Sequence, residues 1–129
     1  MADVKSLKFT QTHEWIEPEG ARRKVGITEF AQDQLGEVVY VELGEEGQQV
    51  QAGAEVGVIE SCKATSPIYA PLPGKIVAFN ERLADEPNLL NEQPYGDGWV
   101  YELELDDNAD ESQLMEHDAY ANYQEQADH

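Results

Sequence analysis

Cysteine, histidine and positive charge are all scarce in this 129-residue chain. Cys62 is the single cysteine, which excludes an intramolecular disulfide and a cysteine zinc cluster and makes a reducing compartment the natural setting. The three histidines, His13, His117 and His129, are scattered without metal-ligand spacing, so no metal site is expected. Lys and Arg number 8 against 27 Asp and Glu, for a formal net charge of -19. So anionic a surface repels phosphate backbones and anionic membranes, which disfavours direct nucleic-acid or lipid binding, and it hastens association with basic-faced proteins at low salt; it serves solubility equally well and by itself identifies no function. Long apolar runs are missing too, and Met1-Ala2-Asp3-Val4-Lys5 has no apolar leader core. The expectation is a protein that stays where it is made, in a bacterial cytoplasm, or a processed chain in a mitochondrial matrix.

What is present is enough for one core. Hydrophobic residues make up 40% of the chain, no low-complexity linker divides it, and no long repeat recurs. Residues 1–129 read as a single domain, with about 1–6 flexible and about 110–129 a helical tail anchored by Leu114, Met115, Tyr120 and Tyr123.

The first segments alternate as strands: Leu7 to Thr10, His13 to Ile16, then Arg22 to Ile27 after the turn at Pro18-Glu19-Gly20. Thr28 offers an N-cap, Glu29 suits a first turn, and Gly36 stops a short helix carrying Phe30, Ala31, Gln34 and Leu35. Val38-Val39-Tyr40-Val41-Glu42-Leu43 is apolar on both faces and predicts a strand buried between layers. Short strands follow at Val50, Val56 to Ile59, Pro67 to Ala70 and Lys75 to Phe79, separated by turns at Gly53 and Pro71-Leu72-Pro73-Gly74. Asn80 is placed to cap one helical turn through Leu83, ahead of Pro87. Trp99 to Leu105 alternates most cleanly, with Trp99, Tyr101, Leu103 and Leu105 on one face. This rhythm predicts a mainly β sandwich or barrel, since βαβ units need longer helical stretches. Trp15, Trp99 and Tyr101 read as core.

Within it, Val56-Gly57-Val58-Ile59 and Pro67-Ile68-Tyr69-Ala70 flank the polar Glu60-Ser61-Cys62-Lys63-Ala64-Thr65-Ser66. Gly53 and Gly74 lie at similar distances on either side of Lys63. That arrangement pushes one lysine into solvent at a hairpin apex, where its ε-amine is open to acylation by an enzyme. On pattern alone an ordinary exposed lysine remains the alternative.

Several ordered segments are together similar to the H-protein family of the glycine cleavage system: Lys8-Phe9 with His13-Glu14-Trp15; Val25-Gly26-Ile27-Thr28 through Leu35-Gly36 to Val41-Glu42-Leu43; Glu60 to Ser66; and Pro71, Gly74, Asn80, Leu83, Pro87, Leu89, Asn91, Pro94-Tyr95-Gly96 and Gly98-Trp99. The resemblance spans nearly the whole chain. It implies a barrel-sandwich hybrid of lipoyl-domain type, with lipoate in amide linkage to Lys63. It implies a lipoyl carrier that takes the aminomethyl group of glycine from a pyridoxal-phosphate glycine decarboxylase (P protein) to a folate-dependent aminomethyltransferase (T protein), and electrons to dihydrolipoyl dehydrogenase (L protein). A lipoylating enzyme is the fourth partner. No catalytic residue is implied, since tethering makes each encounter with a partner's site effectively unimolecular.

Under the same resemblance Glu14 lines a cleft where the loaded arm rests, with Thr12 and Thr65 as further candidates for it. Glu60 and Ser61 are candidates for recognition by the lipoylating enzyme, although a polar turn also favours both for local hydrogen bonds. From the residues alone Glu14 is a surface strand position. Two positions depart from the family: Cys62 stands where valine is usual and is expected to pack like it, and Gln34 replaces a histidine found in some members. His13 as base with Cys62 as nucleophile is the enzymatic alternative, but no orienting residue or oxyanion motif accompanies them, and His13 reads as structural. A biotin carrier would set its lysine between methionines, and a lipoyl domain of a 2-oxo acid dehydrogenase would usually place aspartate before it. An H-like protein that stores or relays lipoyl groups outside glycine cleavage is the nearest alternative.

Overall fold

The computed structural model describes residues 7–10, 12–17, 20, 22–106 and 114–127. The expected flexible start at about 1–6, Pro18 and Glu19 of the expected turn, and 110–113 and 128–129 of the expected tail lie outside them. Two antiparallel sheets form without closing into a barrel. The larger runs β1 (Lys8–Phe9), β2 (Glu14–Ile16), β3 (Arg22–Ile27), β9 (Tyr101–Leu105), β8 (Gly74–Phe79) and β5 (Gln49–Val50) in spatial order; the smaller has β6 (Glu55–Ser61) between β4 (Val38–Leu43) and β7 (Thr65–Tyr69). The helices are α1 (Glu29–Leu35), α2 (Arg82–Asp85), α3 (Leu89–Glu92) and α4 (His117–Ala127).

One core cluster draws on both sheets and on three helices, with Ile16, Val25, Ile59, Ile68, Ile76, Leu90, Val100 and Leu103 at or below 1% exposure. A second cluster joins Leu7, Phe9, Trp15 and Tyr120, and it docks α4 on the first two strands. There Phe9 and Tyr120 stack with ring centroids 4.7 Å apart, and Phe9 exchanges two 2.8 Å backbone hydrogen bonds with Met115. The pairings β5 with β8 and β6 with β7 are nested about Lys63, which is the structural form of the symmetry around the tip.

Local chemistry explains the element ends that the sequence announces. Thr28 Oγ1 accepts from Ala31 N–H at the start of α1, and Gly36 ends it at φ 78°. Other boundaries shift. His13 lies outside β2, in a left-handed conformation at φ 68°. Leu114 and Met115 precede α4 instead of lying in it, whereas Tyr120 is buried within it. Val100 gives its N–H to Val25 O, but Trp99 and Val100 stop short of β9, and Trp99 is only half-buried, under the Lys24 ammonium. Asn80 does meet Arg82 N–H, yet at 4% exposure it also braces the chain leading into β9, its amide donating to Asp97 O and Trp99 O, both at 2.8 Å. The helical turn after it runs on to Asp85, and α3 follows where no helix was expected.

The expectation of a doubly buried β4 is overturned. Among the described strands β4 is an edge, and its register slips between Val38 and Tyr40, so Val39 and Tyr40 both turn to solvent. A bulge inserts one residue without a cross-strand partner and breaks the alternation that the apolar run suggested.

At the β2–β3 pairing, Trp15 faces Gly26, and a β-carbon on Gly26 would lie 2.7 Å from the indole. Gly26→Ala therefore has to displace a ring that is 1% exposed. It should destabilise the fold by about 1–3 kcal/mol, read as a lower urea midpoint followed by tryptophan fluorescence.

Candidate functional site

The register of β6 with β7 sets the tip. Glu60 pairs with Thr65, and Ser61 N–H donates to Ala64 O at 2.8 Å, closing a turn over Cys62 and Lys63. Ser61 braces it from inside: its hydroxyl donates to Ala64 O and accepts from the N–H groups of Ala64 and Lys63. Cys62 N–H reaches Glu37 O at 2.9 Å and ties the turn to the chain entering β4. Lys63 is exposed at the apex.

Beneath the lysine stem lies Gly36. A β-carbon there would meet Lys63 Cε at 2.6 Å and Cys62 Sγ at 3.6 Å, in a backbone that already favours glycine at φ 78°. Asn91 fixes this floor, donating to Gly36 O and to Gln32 Oε1 while accepting from Val38 N–H. Cys62 is exposed, contrary to the expectation that it packs as valine would. It lies past the last residue of β6, where the core no longer reaches.

A cleft of about 320 Å³ opens beside the tip. Ala64 and Thr65 border it on the lysine side, Ile27, Phe30, Leu35, Ile59 and Pro67 give it apolar walls, and Thr12, His13 and Glu14 border it elsewhere; Gln34 also lines it. A second cleft of about 380 Å³, lined by Tyr69, Pro71 and Leu114 among others, shares Thr12 and Glu14 with the first.

Glu14 is the most buried polar residue lining these two clefts, at 2% exposure. It is not the surface residue its strand position suggested, because the turn before β2 folds over it. Thr10 and Thr12 hydroxyls donate to Oε1, the former at 2.8 Å, and Tyr69 N–H approaches Oε2 at 3.5 Å. Burial pushes its carboxyl up to about 7, against the opposing pull of those hydrogen bonds. Thr10 was not anticipated; only the folded turn shows that it and Thr12 converge on one oxygen.

His13 is half-buried, and its Nδ1 is 2.7 Å from Tyr120 Oη, which also lies 2.8 Å from Thr28 Oγ1. Burial lowers its pKa. It lines the cleft near Thr65 while Cys62 does not, so the structure gives no support to a base and nucleophile pair. The structure thus brings Thr12, Glu14 and Thr65 to one cleft and Glu60, Ser61 and Lys63 to the adjoining tip.

The glycine cleavage H-protein family matches residues 7–127. The chain belongs to that family. It is 51% identical to a probable glycine cleavage system H protein of Haloarcula marismortui, over 88% of this chain and 90% of the relative. It is 47% identical to the glycine cleavage system H protein of Thermotoga maritima, over 93% and 97%, and 44% identical to the mitochondrial glycine cleavage system H protein 2 of Arabidopsis thaliana, over 97% and 80%. The crystal structure of a glycine cleavage system H protein from Mycobacterium marinum superposes with a TM-score of 0.82 at 34% identity, covering 97% of this chain and 98% of that one. As an H protein the chain is a carrier component of glycine cleavage and not itself a catalyst, and its partners are components of that system. Among the described residues no helix is long and apolar enough to cross a membrane.

The raised carboxyl makes stability depend on pH. Because Glu14 binds its proton more tightly folded than unfolded, its protonated form favours the fold, and stability falls as pH rises from the ordinary carboxylate range through about 7. Glu14→Gln removes that loss. In urea titrations the variant should gain on the parent between pH 5 and pH 8, by up to roughly 3 kcal/mol; a pH-independent difference would refute the buried, proton-holding carboxyl.

Proposed function

We propose that this H protein carries lipoate in amide linkage to Lys63 Nζ and presents it in turn to glycine decarboxylase, aminomethyltransferase and dihydrolipoyl dehydrogenase, after attachment by a lipoylating enzyme. The observation that carries the reading is the placement of an exposed lysine on a braced turn beside an apolar cleft that also holds a buried carboxyl. The residues present fit the group: an apolar chain hung from Lys63 finds apolar walls next to it, and the glycine floor leaves the lysine stem unobstructed. When bound, lipoate supplies a disulfide that opens and recloses by thiol exchange and so carries both a one-carbon amine unit and electrons.

The chain's own residues then do three things. Ser61, Cys62 N–H and Gly36 hold the turn so that the attachment point is fixed while the arm is free. Thr65 and the apolar walls shelter the cargo from water. Glu14, with Thr12 and Thr10 orienting Oε1, receives a protonated amine through a charge-assisted hydrogen bond. A cation beside Glu14 favours its ionised form and offsets the cost of burial, so the cleft discriminates in favour of cationic cargo over neutral cargo. Glu60, exposed on the approach to the tip, is the residue a lipoylating enzyme reads, and Ser61 contributes by shaping the turn. The setting is the cytoplasm, or the mitochondrial matrix in a eukaryotic cell.

Lys63→Arg keeps the charge and removes the acylatable amine. Its urea midpoint should match the parent, it should gain no lipoyl mass with a lipoylating enzyme, and glycine-dependent decarboxylation exchange with glycine decarboxylase should be lost completely. A fully lipoylated parent that fails to support that exchange would instead favour lipoyl storage or relay outside glycine cleavage.

A further inference from the structure

The large hydrophobic side chains most open to water among the described residues are two neighbours, Val39 at 54% and Tyr40 at 50% exposure. Val38 pairs with Ser61 and Tyr40 with Glu60, so Val39 is the inserted residue that no position on β6 opposes. An unbroken strand would send Val39 and Tyr40 to opposite faces; the bulge turns both outward. Directly opposed residues of antiparallel strands share a face, so Tyr40, Glu60 and Thr65 form one row across β4, β6 and β7. All three are exposed, and the row lies at the base of the turn that carries Lys63. Exposed carboxylates at Glu37, Glu42 and Glu60 rim the apolar pair. A contiguous exposed apolar surface rimmed by charge marks an interaction site more often than scattered single residues do.

We infer that Val39 and Tyr40 are the apolar grip of the enzyme that acylates Lys63, whose own contact surface is apolar with a basic rim that meets Glu37, Glu42 and Glu60. The inference rests on Lys63 being the attachment site. Reach decides between partners. Acylation is the step in which the bare lysine amine itself enters a partner's active site, so the surface gripped must lie within a side chain's length of Lys63. Later partners are reached by the extended arm and need no such proximity. In the step served, neutral Lys63 Nζ attacks the carbonyl carbon of an acyl-adenylate held by the enzyme; the amide C–N bond forms, the bond from that carbon to the phosphate oxygen breaks, Nζ loses one proton, and AMP departs without redox change.

The test uses the full apo chain with a purified lipoate ligase, lipoate and ATP, and follows intact mass. Val39→Ser with Tyr40→Ser should lower kcat/KM for lipoylation about tenfold, chiefly through KM, at an unchanged urea midpoint, while Tyr40→Phe, which keeps the ring, should retain the parent's rate. Driven to full loading with excess ligase, the double variant's lipoyl disulfide should be reduced by NADH through dihydrolipoyl dehydrogenase at the parent's rate. Lipoylation of the double variant within twofold of the parent would overturn the inference, as would a defect confined to the dehydrogenase reaction. A parent chain that takes up no lipoyl mass at Lys63 would be a failure of the attachment reading itself.

Discussion

The register between β6 and β7 is the constraint from which the rest of the site follows. With Ile59 opposite Ser66 and Glu60 opposite Thr65, the chain has only Ser61 to Ala64 in which to reverse, and Lys63 must stand at the reversal. A slip of one residue would turn one strand's faces over relative to the other, so that Ile59 and Ile68 could no longer both be buried. Burial of those two side chains therefore fixes where the lysine points. The outer pairing of β5 with β8 encloses the inner one, so the same reversal is specified twice.

Around that fixed point the structure separates a stiff mount from a receptive cleft. The mount is polar and fully engaged: the Ser61 hydroxyl works inside the turn, Cys62 N–H holds Glu37 O, and Asn91 ties the end of α1 to β4. The cleft is held from the other side by aromatic packing. Tyr120 stacks on Phe9 and meets both His13 and Thr28 through its hydroxyl, so α4 is coupled to the left-handed His13 and, through it, to Glu14 one residue on. A helix far along the chain thus shapes the site by holding a turn near its start.

How much of this the residues announced depends on whether a local rule governed them. Thr28 and Gly36 marked the limits of α1 because a cap and a left-handed stop are properties of single residues. Lys63 was legible as a tip because apolar runs bounded a polar one, and the ordered family segments pointed to the lipoyl cargo proposed for it. Val39 and Tyr40 were misplaced because a bulge is decided by pairing with a strand some twenty residues away and leaves no mark on the alternation. Glu14 was misplaced for a related reason: a carboxylate on a short strand is exposed by default, and its burial requires Thr10, Thr12 and Tyr69 to arrive together. Cys62 was expected to replace a packed side chain, yet the core ends before it.

The distribution of negative charge divides two roles that composition alone would merge. Among the described residues Glu14 is the one buried carboxyl, and the other described carboxylates are exposed or half-buried. Surface carboxylates act over a Debye length of roughly 8 Å at physiological salt, so they would hasten encounters with any partner that presents a basic face and lose that effect as salt rises. Glu14 acts inside a cleft with apolar walls, where screening ions do not enter freely and a cation is felt strongly. Under the proposed function, partner encounter should therefore be salt-sensitive while cargo holding at Glu14 is not, because the surface charges are screened and the carboxyl in the cleft is not.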